Sequence, residues 1–227
     1  AMSSHYPFDI PEEKVRFELD KKFNNTLVGD YLTSIHYADY AFGQFIDGLK
    51  ENDMWDDTLL IVYGDHFGLR IHNEEERELI DGVLGYNYHK FVDGYNIPLI
   101  IKLPGVSEKK VVNKIGGQVD LLPTIANLLG LTLDDFVFFG NDLLNIERNL
   151  IGMRFYLPTG SFLNDNIMFI PGEGFSDGKM IDLKTREKTV VSPQYKDDYK
   201  KILKIMNISD HYIESLPVRE SENASDD

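Results

Sequence analysis

Leu59-Leu60-Ile61-Val62-Tyr63-Gly64-Asp65-His66 is the stretch that decides the fold class. From Thr58 to Tyr63 the chain carries no charge and no polar alternation. Such a run reads as a strand buried on both faces, as in a parallel sheet covered by helices. It stops at Gly64. Strands of α/β sheets deliver functional side chains at their carboxyl ends, and Asp65 and His66 stand at this one. A carboxylate oxygen and an imidazole nitrogen leaving a strand through one turn can reach a single ion. A mixed oxygen and nitrogen set suits manganese, zinc or iron better than magnesium alone. The residues by themselves leave a second reading open, in which Asp65 caps the turn and His66 packs beside it.

Working outward, Leu27, Tyr31, Ile35, Ala38, Phe42, Phe45, Ile46 and Leu49 recur at steps of three and four and predict a helix over 26–51, ended by Asn52-Asp53. An acidic helix is expected near Glu74–Leu84 and a second buried strand over 97–103, closed by Pro104-Gly105. Val119, Leu122, Ile125, Leu128 and Leu129 share a face, which predicts a helix over 119–129 with Pro123 in its first turn and Gly130 as its cap. Beyond 149 the pattern changes. Short strand-like pieces at 153–156, Ile167–Ile170 and 179–183, punctuated by glycines, predict a small antiparallel sheet. A helix over 195–206 and a short one near 209–216 follow. The fold class is therefore α/β, with residues 1–148 in the α/β domain, 149–219 in a small α+β subdomain, and 220–227 a polar tail expected to be disordered.

Composition narrows the function. The net charge of -15 argues against a basic patch for nucleic acid. The absence of cysteine excludes disulfides and thiolate metal sites. No apolar run approaches the roughly 20 residues of a membrane span, so any membrane anchor is expected outside these residues.

Other candidates are weighed by their setting. His5, in Ser-Ser-His-Tyr-Pro-Phe, can bind an anion, although a loop histidine satisfied at the surface is the plainer reading. His72 and Asn73 follow the Asp-His pair closely enough to serve as outer contacts to a metal site. His36, His89 and His211 read as structural or solvated. Asp120 begins a predicted helix, where its charge suits the helix dipole, and reads as structural.

Several spaced motifs go further together. Ser4-His5-Tyr6-Pro7-Phe8, Tyr63-Gly64-Asp65-His66-Phe67-Gly68 and His72-Asn73 come first. Gly117-Gln118-Val119-Asp120-Leu121-Leu122-Pro123-Thr124-Ile125, Phe139-Gly140-Asn141-Asp142-Leu143 and Ile208-Ser209-Asp210 follow in order. With them the chain resembles the extracellular domain of the lipoteichoic acid synthases, phosphoglycerol transferases of the sulfatase and alkaline phosphatase superfamily. The resemblance implies part of an alkaline-phosphatase-type sandwich with a small C-terminal antiparallel sheet plus helix. It implies a divalent ion, usually manganese, with magnesium or zinc as alternatives. Asp65 and His66 match two of its ligands, and His5 matches a histidine that contacts glycerol phosphate. It further implies a phosphatidylglycerol-type lipid head group as donor, a growing glycerol phosphate polymer as acceptor, and a place at the outer face of a bacterial membrane.

The family's glutamate ligand and its nucleophilic threonine precede the His-Tyr-Pro-Phe motif, and the threonines of this chain match neither position. The expectation is therefore the C-terminal half of the enzyme domain, inactive alone, and paired either with the other half or with a second copy. Sulfatases, phosphoethanolamine transferases and lipoteichoic acid primases are the alternatives within the superfamily. A non-catalytic scaffold is the alternative outside it.

Overall fold

The structure, a computed structural model, describes residues 5–217. The polar tail predicted for 220–227 lies outside the described residues. The chain divides into two compact units, one up to Val111 and the other from Val112.

The first unit is built on helix α1 (Leu27–Glu51). Thr26 caps it by accepting from the Gly29 N–H at 3.0 Å, and Asn52 ends it, as the sequence pattern predicts. Strand β1 (Leu60–Tyr63) leads to helix α2 (Glu74–Leu84), capped by Asn73 and closed by Gly85 in the left-handed conformation. Strand β2 (Leu99–Lys102) then pairs with β1. The pairing corrects the expected parallel arrangement: β1 and β2 are antiparallel, with Val62 opposite Ile100. An unbroken apolar run reports suitability for burial on both faces, and it carries no information on strand direction. The burial expectation also fails within this chain. Tyr63, Leu99 and Ile100 stay exposed, Ile100 at 57%. The apolar centre of this unit is instead Phe8, Phe23, Val28, Leu69 and Ile80, lined by Tyr31 and Tyr88.

The second unit begins with helix α3 (Leu121–Leu129), preceded by a 3-10 turn at Gln118–Asp120 and ended by Gly130 at φ 65°. Five strands follow as an antiparallel meander in chain order: β3 (Leu150–Met153), β4 (Ser161–Asn164), β5 (Ile167–Ile170), β6 (Lys179–Asp182) and β7 (Lys188–Thr189). Helix α4 (Lys196–Ser215) packs on β3 and β4. Ile202 and Met206 of α4 meet Phe162, Ile167, Phe169 and Met180 of the sheet. Gly152 lets the helix approach, since a Cβ there would lie 2.7 Å from Met206 Cε.

Two expectations are corrected here. The strand predicted over 153–156 lies at Leu150–Met153, and Phe155 and Tyr156 occupy an exposed turn in which Tyr156 has φ 54°. The two predicted terminal helices are one continuous helix. Among the described residues no helix is long and apolar enough to cross a membrane.

Candidate functional site

The Asp-His pair sits where the sequence predicts, at the exit of β1. Gly64 donates its N–H to the Pro98 carbonyl at 3.2 Å, so the chain leaves the strand against the residues that lead into β2. A side chain at Gly64 would place its Cβ 2.8 Å from Ile97 Cβ, which explains the glycine. Asp65 and His66 follow, both exposed.

The loop beyond them is anchored by burial and hydrogen bonding. Leu69 inserts into the first apolar centre, and the Tyr88 hydroxyl donates to its carbonyl at 3.4 Å. Tyr31 lies against Gly68, where a Cβ would come within 2.6 Å of its hydroxyl. Burial pushes the Tyr88 phenol up to about 12, and burial likewise raises that of Tyr31. Both phenols therefore remain neutral donors at any physiological pH.

His66 is held in a definite orientation. Its Nδ1 lies 2.7 Å from the Phe67 carbonyl oxygen. A carbonyl only accepts, so Nδ1 carries a proton there and Nε2 is the ring nitrogen turned toward the candidate site. Nε2 faces Asp65 Oδ1 at 3.8 Å. Two donors each bound at about 2.1 Å to one ion stand roughly 3 to 4 Å apart, so the pair fits a shared divalent metal. A backbone carbonyl taking the far ring N–H is also the usual way a ligating histidine is oriented. Among the described residues, no group of three or more His, Cys, Asp or Glu side chains converges as a complete metal site. The pair supplies two donors.

His5 is brought to the same place. Its ring meets His66 edge-on, with centroids 5.3 Å apart. The placement follows from Phe8, whose N–H donates to the His5 carbonyl at 2.6 Å and whose ring packs into the first apolar centre against Tyr31 at 5.1 Å. His72 and Asn73, expected as outer contacts, take part in hydrogen bonds at the start of α2. Asn73 Oδ1 accepts from the Glu76 N–H at 2.8 Å, and Glu76 reaches back to the His72 N–H at 2.8 Å.

The motif residues of the second unit form a buried polar knot. Asp120 Oδ2 accepts from the Gly117 N–H at 2.9 Å and from Asn149 Nδ2 at 2.8 Å, and Oδ1 accepts from the Asn141 N–H at 2.7 Å. Thr124 Oγ1 donates to the Asp120 carbonyl and accepts from the Leu143 N–H. Asp120 is thus structural, as expected, although its partners are backbone and side-chain donors rather than a helix dipole alone.

The sequence reading passed over the side chains that surround His66. Phe67 meets His66 edge-on at 5.4 Å and Tyr95 at 6.1 Å, and the Arg70 guanidinium lies 4.3 Å over the Phe67 ring centre. Their proximity in Asp65-His66-Phe67-Gly68-Leu69-Arg70 is the signal that would have found Phe67 and Arg70.

Comparison with known proteins places the chain in a family. The profile of the Sulfatase family matches residues 1–131. Lipoteichoic acid synthase 2 of Bacillus subtilis (strain 168) is 31% identical over 94% of this chain and 31% of its own length. Lipoteichoic acid synthase of Staphylococcus aureus (strain USA300) is 27% identical over the same shares. The chain thus spans about a third of the length of these curated relatives. Among solved structures, the lipoteichoic acid synthase LtaP from Listeria monocytogenes superposes with a TM-score of 0.83 at 31% identity, covering 96% of this chain and 53% of that one. An alkaline phosphatase superfamily protein from Vibrio parahaemolyticus shares the fold, with a TM-score of 0.64 at 22% identity.

Proposed function

The chain belongs to the sulfatase family, and on that premise we propose that it supplies the Asp65–His66 half of a divalent-metal site in a phosphoglycerol transferase of the lipoteichoic acid synthase type. The observation that carries this reading is the setting of His66: Nδ1–H tied to the Phe67 carbonyl, and Nε2 facing Asp65 at 3.8 Å. Similarity to lipoteichoic acid synthases over 94% of the chain supports the substrate class.

In this reading Asp65 and His66 Nε2 hold the ion, manganese before magnesium or zinc. When bound, the ion lowers the pKa of a coordinated hydroxyl and neutralises charge on phosphoryl oxygens. His5, fixed beside His66, donates a hydrogen bond to a phosphoryl or glycerol oxygen of the substrate and stabilises the negative charge that develops there. The donor is a phosphatidylglycerol-type head group and the acceptor a glycerol phosphate polymer, at the outer face of a bacterial membrane. The nucleophilic threonine and the glutamate ligand expected from the family resemblance match no position in these residues, so the transfer needs both from elsewhere.

Calorimetric titration with Mn2+ tests this. The wild-type chain is expected to bind, and Asp65→Ala and His66→Ala each to weaken binding at least 10-fold. The same titration on the chain joined to the region that precedes the matched part in the longer relatives is expected to give tighter binding. No Mn2+ affinity even in the joined protein would overturn the metal reading and favour a scaffold.

A further inference from the structure

The loop that carries the Asp-His pair also presents a cation that the mechanism above does not use. Between Gly64 and Glu76, Arg70 is the sole lysine or arginine. Its guanidinium lies 4.3 Å over the Phe67 ring, Phe67 meets His66 at 5.4 Å, and His66 meets His5 at 5.3 Å. Cation, ring, candidate ligand and second imidazole form one connected row. The backbone beneath it is fixed, because Leu69 is buried and its carbonyl accepts from Tyr88. Arg70 itself is exposed. A guanidinium stacked on an aromatic face loses little freedom on binding and keeps its N–H fork in its own plane, where a phosphate can be taken bidentately. The need for a cation here is electrostatic. Asp65 beside the site repels an approaching anion, in a chain of net charge -15.

We propose that Arg70 is a specificity-determining residue that receives a phosphodiester anion beside the Asp65–His66 pair, which rests on the transferase reading above. Two sources share that chemistry: the donor head group, and a phosphate one unit along the acceptor polymer.

The test is a calorimetric titration of the chain with glycerol phosphate and with a glycerol phosphate trimer, each with and without Mn2+. Arg70→Gln is expected to weaken binding about 10-fold or more. Arg70→Lys is expected to recover only part of the loss, because an ammonium is a point charge without the planar fork. Phe67→Leu, which removes the stacking platform and leaves the charge, is expected to fall between. A loss confined to the trimer supports the proposal and assigns the polymer. Equal loss on both probes supports it and assigns the donor phosphate. Arg70→Gln binding both probes within twofold of wild type overturns it, as does a wild-type chain that binds neither. The metal reading fails separately, through absence of Mn2+ binding, and the metal-free titrations then still compare the Arg70 variants.

Discussion

Removing the Asp120 carboxylate is the sharpest test of the division between structural and catalytic acids. Asp120 is 1% exposed and accepts three hydrogen bonds, from Gly117 N–H, Asn141 N–H and Asn149 Nδ2. Hydrogen bonds to a charged group each contribute about 1.5–3 kcal/mol net, and a buried donor left without a partner costs a further 1–3 kcal/mol. The three share one acceptor and are not additive, so Asp120→Ala is expected to cost about 4 kcal/mol. Asp120→Asn costs less. Its oxygen in the Oδ2 position keeps Gly117 and Asn149, while its NH2 faces the Asn141 N–H and loses that bond, for about 2 kcal/mol. With a urea slope of about 1.5 kcal/mol/M for a unit of this size, the midpoints should fall by roughly 2.7 M and 1.3 M. Urea unfolding followed by circular dichroism measures both, and amide exchange in β4 to β6 assigns the loss to the second unit. A shift below about 0.5 M for Asp120→Ala, or an asparagine variant less stable than the alanine one, refutes the reasoning. Mn2+ affinity should be unchanged in either variant.

Two glycines should separate rigid from yielding neighbours. A Cβ on Gly140 would lie 1.9 Å from the Val119 carbonyl oxygen, which is backbone, so Gly140→Ala is expected to abolish folding of the second unit as read by loss of amide protection. A Cβ on Gly152 would meet the flexible end of Met206, so Gly152→Ala is expected to cost only about 1–3 kcal/mol in urea unfolding. Tyr88 gives a pH prediction. Its folded-state pKa, about 12, lies above the unfolded value near 10, so the folded state holds the phenolic proton longer. The stability this contributes is fully present below pH 10 and is lost as pH rises from 10 to 12. Spectrophotometric titration should show a late-ionising tyrosine that is missing in Tyr88→Phe. A Tyr88 that titrates near 10 in the folded chain would count against its burial.

What the sequence disclosed follows from the range of the forces involved. Helices α1, α2 and α3 were legible to within two residues because their signals are local: apolar spacing, Asn52-Asp53 after α1 and Gly130 after α3. The sheet of the second unit was legible in kind but not in detail. Strand β4 escaped notice because Ser161-Phe162-Leu163-Asn164 has polar ends, and those ends are buried through hydrogen bonds that the sequence does not display. Asn164, for one, donates to Asp198 at 2.9 Å and accepts from the Asn166 and Ile167 amides. The 153–156 window was drawn to Phe155 and Tyr156, whose strand propensity is high but which the chain spends on an exposed turn.

The terminal helix shows tertiary contacts overriding local preference. Asn207, Ser209 and Asp210 are poor helix interior residues, and they fall where a helix over 195–206 and a short one near 209–216 were expected to part. The helix continues because Ile202 and Met206 anchor it on the sheet before that point, and Arg154 clamps Asp210 after it with two hydrogen bonds, 2.8 and 2.6 Å. The Asp210 carboxyl is held below its ordinary value by the same guanidinium. The candidate site divides along the same line. Asp65 and His66 were readable because strand exit and motif are both properties of adjacent residues. The orientation of His66 and the position of Arg70 over Phe67 were not, since each depends on where one flexible side chain or carbonyl settles against another. On the proposed reading those two features matter most: an imidazole nitrogen turned toward Asp65 and a guanidinium over the Phe67 ring are what would separate a phosphodiester site from a turn that merely contains an aspartate and a histidine.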